Sequence, residues 1–166
     1  MDSELKYKVT KKSDEDVIYL SGSVGERSLK VLNEIAVQVV GDRCRFNLKG
    51  IVNINSIGFG SWVHFFVRFS EEKVVIFEDC SYECLRQHVL SSALLSFGTV
   101  TSCFLPFWCD DCDVEVSVQL RTGTDRETFL DEVDKLSCSR CGGNLVVDEE
   151  PVLDFAIDMF TDSVDE

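Results

Sequence analysis

The sequence predicts an α/β chain, a mixed sheet with covering helices, followed by a small appendage of different build. Three observations carry this. Strand-like and helix-like periods alternate through residues 1–108, and a parallel crossover needs a helix to cover the sheet face. Charge breaks at Pro106-Phe107-Trp108-Cys109: residues 1–108 hold 12 Lys plus Arg and 13 Asp plus Glu, whereas residues 109–166 hold 4 and 17. Two Cys-x-x-Cys pairs lie wholly beyond that break. The expected division is 1–108, 109–147 and an acidic tail, 148–166.

Leu5 to Val9 and Val17 to Leu20 read as short strands, the second entering a turn at Ser21-Gly22-Ser23-Val24-Gly25. Leu29, Leu32, Asn33, Ala36 and Val40 recur at helical spacing, widened by Val31, Ile35 and Val39, so residues 26–40 form a helix closed by Gly41-Asp42. Cys44, Phe46 and Leu48 alternate with Arg45, Asn47 and Lys49 as in a strand with one face on the core, and Gly50 ends that run. Trp62 to Phe69 is a strongly apolar second helix, and Lys73 to Glu78 a buried strand. Ser81 suits the N-cap of a third helix carrying Leu85, His88, Val89 and Leu90, and Thr99 to Phe107 returns as a strand. Strands separated by helices in this order require a mostly parallel or mixed sheet.

Composition narrows the function. A formal charge of -14 repels a phosphate backbone, which disfavours direct nucleic-acid binding. No run of 18 apolar residues occurs, and Met1 to Asp16 lacks the apolar stretch of an export signal, so a cytoplasmic protein with no membrane partner is expected. In a reducing compartment the eight cysteines are free thiols or metal ligands.

Cys109-Asp110-Asp111-Cys112 and Cys138-Ser139-Arg140-Cys141-Gly142-Gly143 form two knuckles with 25 residues between Cys112 and Cys138. Two residues between cysteines aim both sulfurs at one ion, and Gly142-Gly143 permits the positive φ that turns amides toward a thiolate. Two such turns complete a closed four-thiolate shell, the pattern of a structural zinc ribbon with Cys109, Cys112, Cys138 and Cys141 holding Zn2+. An iron–sulfur cluster or a redox dithiol are the competing readings, although Asp110, Asp111 and Asp113 would raise rather than lower a neighbouring thiol pKa. Val114, Val116, Val118 and Leu120 alternate with Glu115, Ser117 and Gln119 as a half-buried strand. Asp125 to Leu136 is helical, and Leu145-Val146-Val147 returns as the pairing strand. Cys44, Cys80, Cys84 and Cys103 read as small buried hydrophobes, and His64 and His88 as core histidines.

Residues 5–108 resemble the STAS domain family of bacterial anti-sigma-factor antagonists and sulfate-transporter tails. The likeness rests on strand order, on Ile54-Asn55-Ser56-Ile57-Gly58-Phe59-Gly60 in place of a loop of the type Asp-Ser-Ser-Gly-Leu-Gly, and on the Phe77-Glu78-Asp79-Cys80-Ser81 junction. Gly58 would permit a tight strand-to-helix turn and Gly60 a close approach of helix to sheet. The resemblance implies a non-enzymatic signalling module that acts by partner switching. Its protein partner would be a regulatory kinase, a sigma-type regulator or an assembly component, met at Asn55, Ser56, Ile57, Gly58 and Phe59. In the family a kinase phosphorylates the serine before the first glycine. That position is Ile57 here, so the usual switch cannot operate and binding is expected to be constitutive. Ser56 sits one step away, with its side chain reversed.

Residues 148–166 hold eight acids and no base, yet Val152, Phe155, Ala156, Met159 and Phe160 share one helical stripe with Leu153 and Ile157 beside it. Asp148, Glu149 and Glu150 suit the N-terminus of that helix. The stripe docks either on its own chain or in a partner's groove, with Phe155, Met159 and Phe160 as the docking residues. Two other function classes stay open: a zinc-ribbon component of a transcription-type machine, and a thiol oxidoreductase.

Overall fold

The computed structural model describes residues 3–122, 125–147 and 150–161. The hairpin β1 (Lys6–Lys11) and β2 (Asp16–Val24) is antiparallel; β3 (Arg43–Ile54), β4 (Val74–Glu78) and β5 (Thr99–Val100) then add in chain order, each parallel to the last. The crossovers are α1 (Ser28–Gln38), α2 (Ser56–Glu72) and α3 (Tyr82–Ser91). This is the mixed α/β sheet with covering helices that the alternating periods predict.

The core of this layer packs Ile18 and Leu20 of β2, Phe46 and Leu48 of β3 and Phe77 of β4 with Leu32 and Ile35 of α1 and Trp62 and Phe66 of α2. Phe66 meets Phe46 edge-on with centroids 5.0 Å apart and Phe77 at 5.3 Å. Such pairs contribute about 0.5–1.5 kcal/mol each beyond burial. The indole of Trp62 is fully buried, and its Nε1 donates to the Leu94 carbonyl at 2.8 Å, so its one polar atom is satisfied.

β6 (Ser102–Cys109) lies between β7 (Val114–Arg121) and β8 (Leu145–Val147) in a second, antiparallel sheet. The two sheets are joined at the β4–α3 junction. Cys80 N donates to Ser102 O at 2.9 Å and Phe104 N to Cys80 O at 2.8 Å. Asp79 holds a left-handed φ of 50° there, costly for a residue with a Cβ. Its carboxylate accepts from Asn47 Nδ2 at 3.1 Å, Ser102 Oγ at 2.8 Å and Gln119 Nε2 at 2.6 Å, so β3, β6 and β7 together fix the turn. Helix α4 (Arg126–Asp134) starts at an Asp125 cap whose Oδ1 accepts from Thr128 N at 2.9 Å. Helix α5 (Glu150–Thr161) packs on α3 and α4, burying Val152, Ala156, Ile157 and Phe160. Among the described residues no helix is long and apolar enough to cross a membrane.

Several elements differ from expectation. β2 runs on to Val24 and β3 through Gly50 to Ile54. Gly50 does not end β3, because a register shift sets it against Ser21, where a Cβ would lie 2.6 Å from the Ser21 Cβ; only glycine lets the ladder continue. The expected strand Thr99 to Phe107 is two strands in different sheets, parted at Thr101, whose amide turns to Phe77 O at 2.9 Å. α2 begins at Ser56 rather than Trp62, because Asn55 caps it. On α1 the buried face is Ser28, Leu32, Ile35 and Val39, while Asn33, Ala36 and Val40 are exposed. His64 is exposed rather than in the core; His88 is half-buried, accepts from Leu95 N at 3.1 Å and lies 4.9 Å from the Phe155 ring. Asp148 and Glu149 lie outside the described residues.

Candidate functional site

The first cysteine knuckle hangs from the end of β6. Cys109 closes that strand, and the chain reverses through Cys112 to Asp113, whose φ of 54° lets its amide donate back to Cys109 O at 2.9 Å. The second knuckle closes just before β8: Cys138 N donates to Gly143 O and Gly142 N to Cys138 O, both at 2.8 Å. Gly142 takes the φ of 76° that this turn requires. Gly143 N points at Cys141 Sγ at 3.3 Å, and a Cβ at Gly143 would collide with the Asp111 carboxylate of the other knuckle.

The antiparallel pairing of β6 with β8, Cys109 opposite Leu145, brings the knuckles together. All four Sγ atoms lie within 4.8 Å of one another, and Cys109 Sγ is 3.5 Å from Cys141 Sγ. Four thiolates about 2.3 Å from a tetrahedral ion lie about 3.8 Å apart, so the sulfurs are spaced to hold one metal ion in a shell with no open position. The amides of Arg140 and Cys141 draw Cys138 down to about 7, while hydrogen bonding with Cys141, then burial, pushes Cys112 up to about 12. A cation among them would favour the thiolate form of all four, because each then faces positive charge.

The second region is the start of α2. Asn55 Oδ1 accepts from Gly58 N at 2.8 Å, and Asn55 N donates to Val24 O at 3.1 Å, which ties this helix end to β2. Ser56 and Ile57 occupy the exposed first turn, and Ile57 leaves 59% of its surface in solvent. Gly58 is buried, since a Cβ there would collide with the Val24 carbonyl, whereas a Cβ at Gly60 meets nothing within 4 Å. The close approach of helix to sheet therefore belongs to Gly58 and not to Gly60. Phe59 is half-buried against the core.

The structure thus brings Cys109, Cys112, Cys138 and Cys141 to one point and Asn55 to Phe59 to one helix end. Phe160 is buried with its ring 5.8 Å from Phe129, and Phe155 and Met159 are half-buried beside it. Sequence reading missed the role of Asp79, since nothing in a strand-to-helix junction announces a left-handed aspartate with three side-chain donors.

No protein-family model and no curated protein matches the sequence. Among solved structures the chain is similar to an anti-sigma factor antagonist from Mycobacterium paratuberculosis, at 11% identity and a TM-score of 0.45, over 54% of this chain and 79% of that one. It is likewise similar to the anti-sigma factor antagonist SpoIIAA in its unphosphorylated form, at 14% identity and a TM-score of 0.44, over 57% of this chain and 87% of that one.

Proposed function

We propose that this chain is a non-enzymatic regulatory or scaffold protein that binds a protein partner through the first turn of α2. The observation that carries the reading is Ile57, 59% exposed at the helix end where the family resemblance places a phosphorylated serine. Ile57 is an aliphatic side chain exposed on a capped, sheet-anchored helix end, available to a partner and unable to carry phosphate. The partner is a regulatory kinase, a sigma-type regulator or an assembly component, and binding is constitutive. The four-cysteine site holds Zn2+ with a structural role, and a net charge of -14 speaks against direct contact with nucleic acid.

Quantitative affinity purification from native lysate tests this with the intact chain, Ile57→Asp and Ser56→Ala. A specific partner is expected to be recovered by the intact chain and by Ser56→Ala and lost on Ile57→Asp. Loss on Ser56→Ala, or phosphate on Ser56 in cells, would contradict constitutive binding.

A further inference from the structure

A cleft of about 320 Å³ opens where the carboxyl end of β2 meets the N-terminal ends of α1 and α2, with Leu5, Ser23, Arg27, Ser28, Val31 and Asn55 among its walls. It contains the one buried side-chain oxygen or nitrogen that has no hydrogen-bond partner among the described residues. That atom is Ser23 Oγ, in a residue only 9% exposed. Folding has removed this hydroxyl from water without providing a partner, which is unfavourable unless something else supplies one.

The surrounding groups define the missing partner. α1, eleven residues long, has no side-chain cap at Arg27; Ser28 N donates to Gly25 O at 3.1 Å, and the Leu29 and Lys30 amides of its first turn are not met by a capping oxygen. Ser28 Oγ is committed to Gly25 N at 2.8 Å. Asn55 Oδ1 is committed to Gly58 N, and its Nδ2 faces Gly25, where a Cβ would lie 3.2 Å away. A hydroxyl, open helix amides and a carboxamide nitrogen form a donor set, and a donor set at a helix N-terminus selects an anion. Of the acids on the rim, Glu4 is paired with Arg27 at 2.6 Å and Glu26 is exposed to solvent. Leu5 and Val31 give one wall an apolar surface, and the volume is at the lower end of the range for small-molecule sites rather than that of a bare inorganic ion. We propose that this cleft binds a small organic acid, its carboxylate at Ser23 Oγ and the Leu29 and Lys30 amides of α1, its apolar chain on Leu5 and Val31.

The test is a titration of the full, metal-loaded chain followed by amide NMR, with isovalerate, its uncharged isostere isovaleramide, and inorganic phosphate as probes. Isovalerate is expected to give saturable shifts at Ser23, Leu29 and Lys30, with isovaleramide and phosphate each weaker. Ser23→Ala, which removes only the unpartnered hydroxyl and keeps the folded spectrum, is expected to weaken isovalerate about tenfold, the loss of one hydrogen bond to a charged group. No saturable shift, equal binding of isovaleramide, tighter binding of phosphate, or an unchanged affinity in Ser23→Ala would each overturn the proposal.

Discussion

At Gly58 a single methyl group separates a helix that fits its sheet from one that does not. A Cβ there would run into the Val24 backbone, so Gly58→Ala is expected to cost about 1–3 kcal/mol or more through overpacking. Gly60→Ala meets open space inside the same helix and should stabilise by about 0.5–1 kcal/mol. Urea midpoints of the two variants check the pair, and equal effects would contradict the packing described. Asp16 makes a second residue-scale prediction. Hydrogen bonds from Gly41 N and Val40 N, both 3.0 Å, hold its carboxyl below the ordinary 3.8 despite burial. A depressed folded value means that this stabilisation is complete above the ordinary value and is lost as pH falls through the folded one. Asp16→Ala should therefore be less stable at pH 7 by about 1–3 kcal/mol and lose less on acidification below pH 4, as read by urea midpoint against pH. Residue identity was legible where it is chemical, as at the four cysteines that meet at one point. It was not legible where function depends on partners distant in sequence: the need for glycine at 58 is set by Val24, and the donors to Asp79 come from three strands.

Element by element, the alternating periods placed the helices and most strands, but ran β5 and β6 together as one strand and misjudged how several elements end. Periodicity reports which face is buried and is blind to the cap and register that set an element's limits. Asn55 started α2 a turn and a half early, and the register shift opposite Ser21 carried β3 through Gly50. For α5 the same limit had a functional consequence, because an amphipathic stripe does not say what it packs on. The structure shows that it covers α3 and α4, with Phe160 against Phe129. Phe160→Ala is expected to cost about 3–5 kcal/mol, the usual loss for emptying a buried phenylalanine site, with partner recovery unchanged at a temperature where the variant stays folded. A variant as stable as the parent chain would mean that α5 does not stay docked in solution.

Over the whole molecule, the acidic appendage and the near-neutral sheet share one structure through the Asp79 junction and the α5 contacts. The four-thiolate site stands at the far end of β6, so metal should order the second sheet more than the first. The chain has two tryptophans, Trp62 in the main core and Trp108 on β6. Chelation is expected to change Trp108 fluorescence, read in a Trp62→Phe background, far more than Trp62 fluorescence read in Trp108→Phe. The most direct measurement for the account as a whole is native mass spectrometry of the purified full chain, combined with thiol counting, because it separates a structural site from a redox one. One zinc per chain is predicted, with Cys109, Cys112, Cys138 and Cys141 protected from alkylation until the metal is removed. A metal-free chain carrying a Cys109–Cys112 disulfide, at undiminished stability, would contradict the account and make a thiol oxidoreductase the better reading.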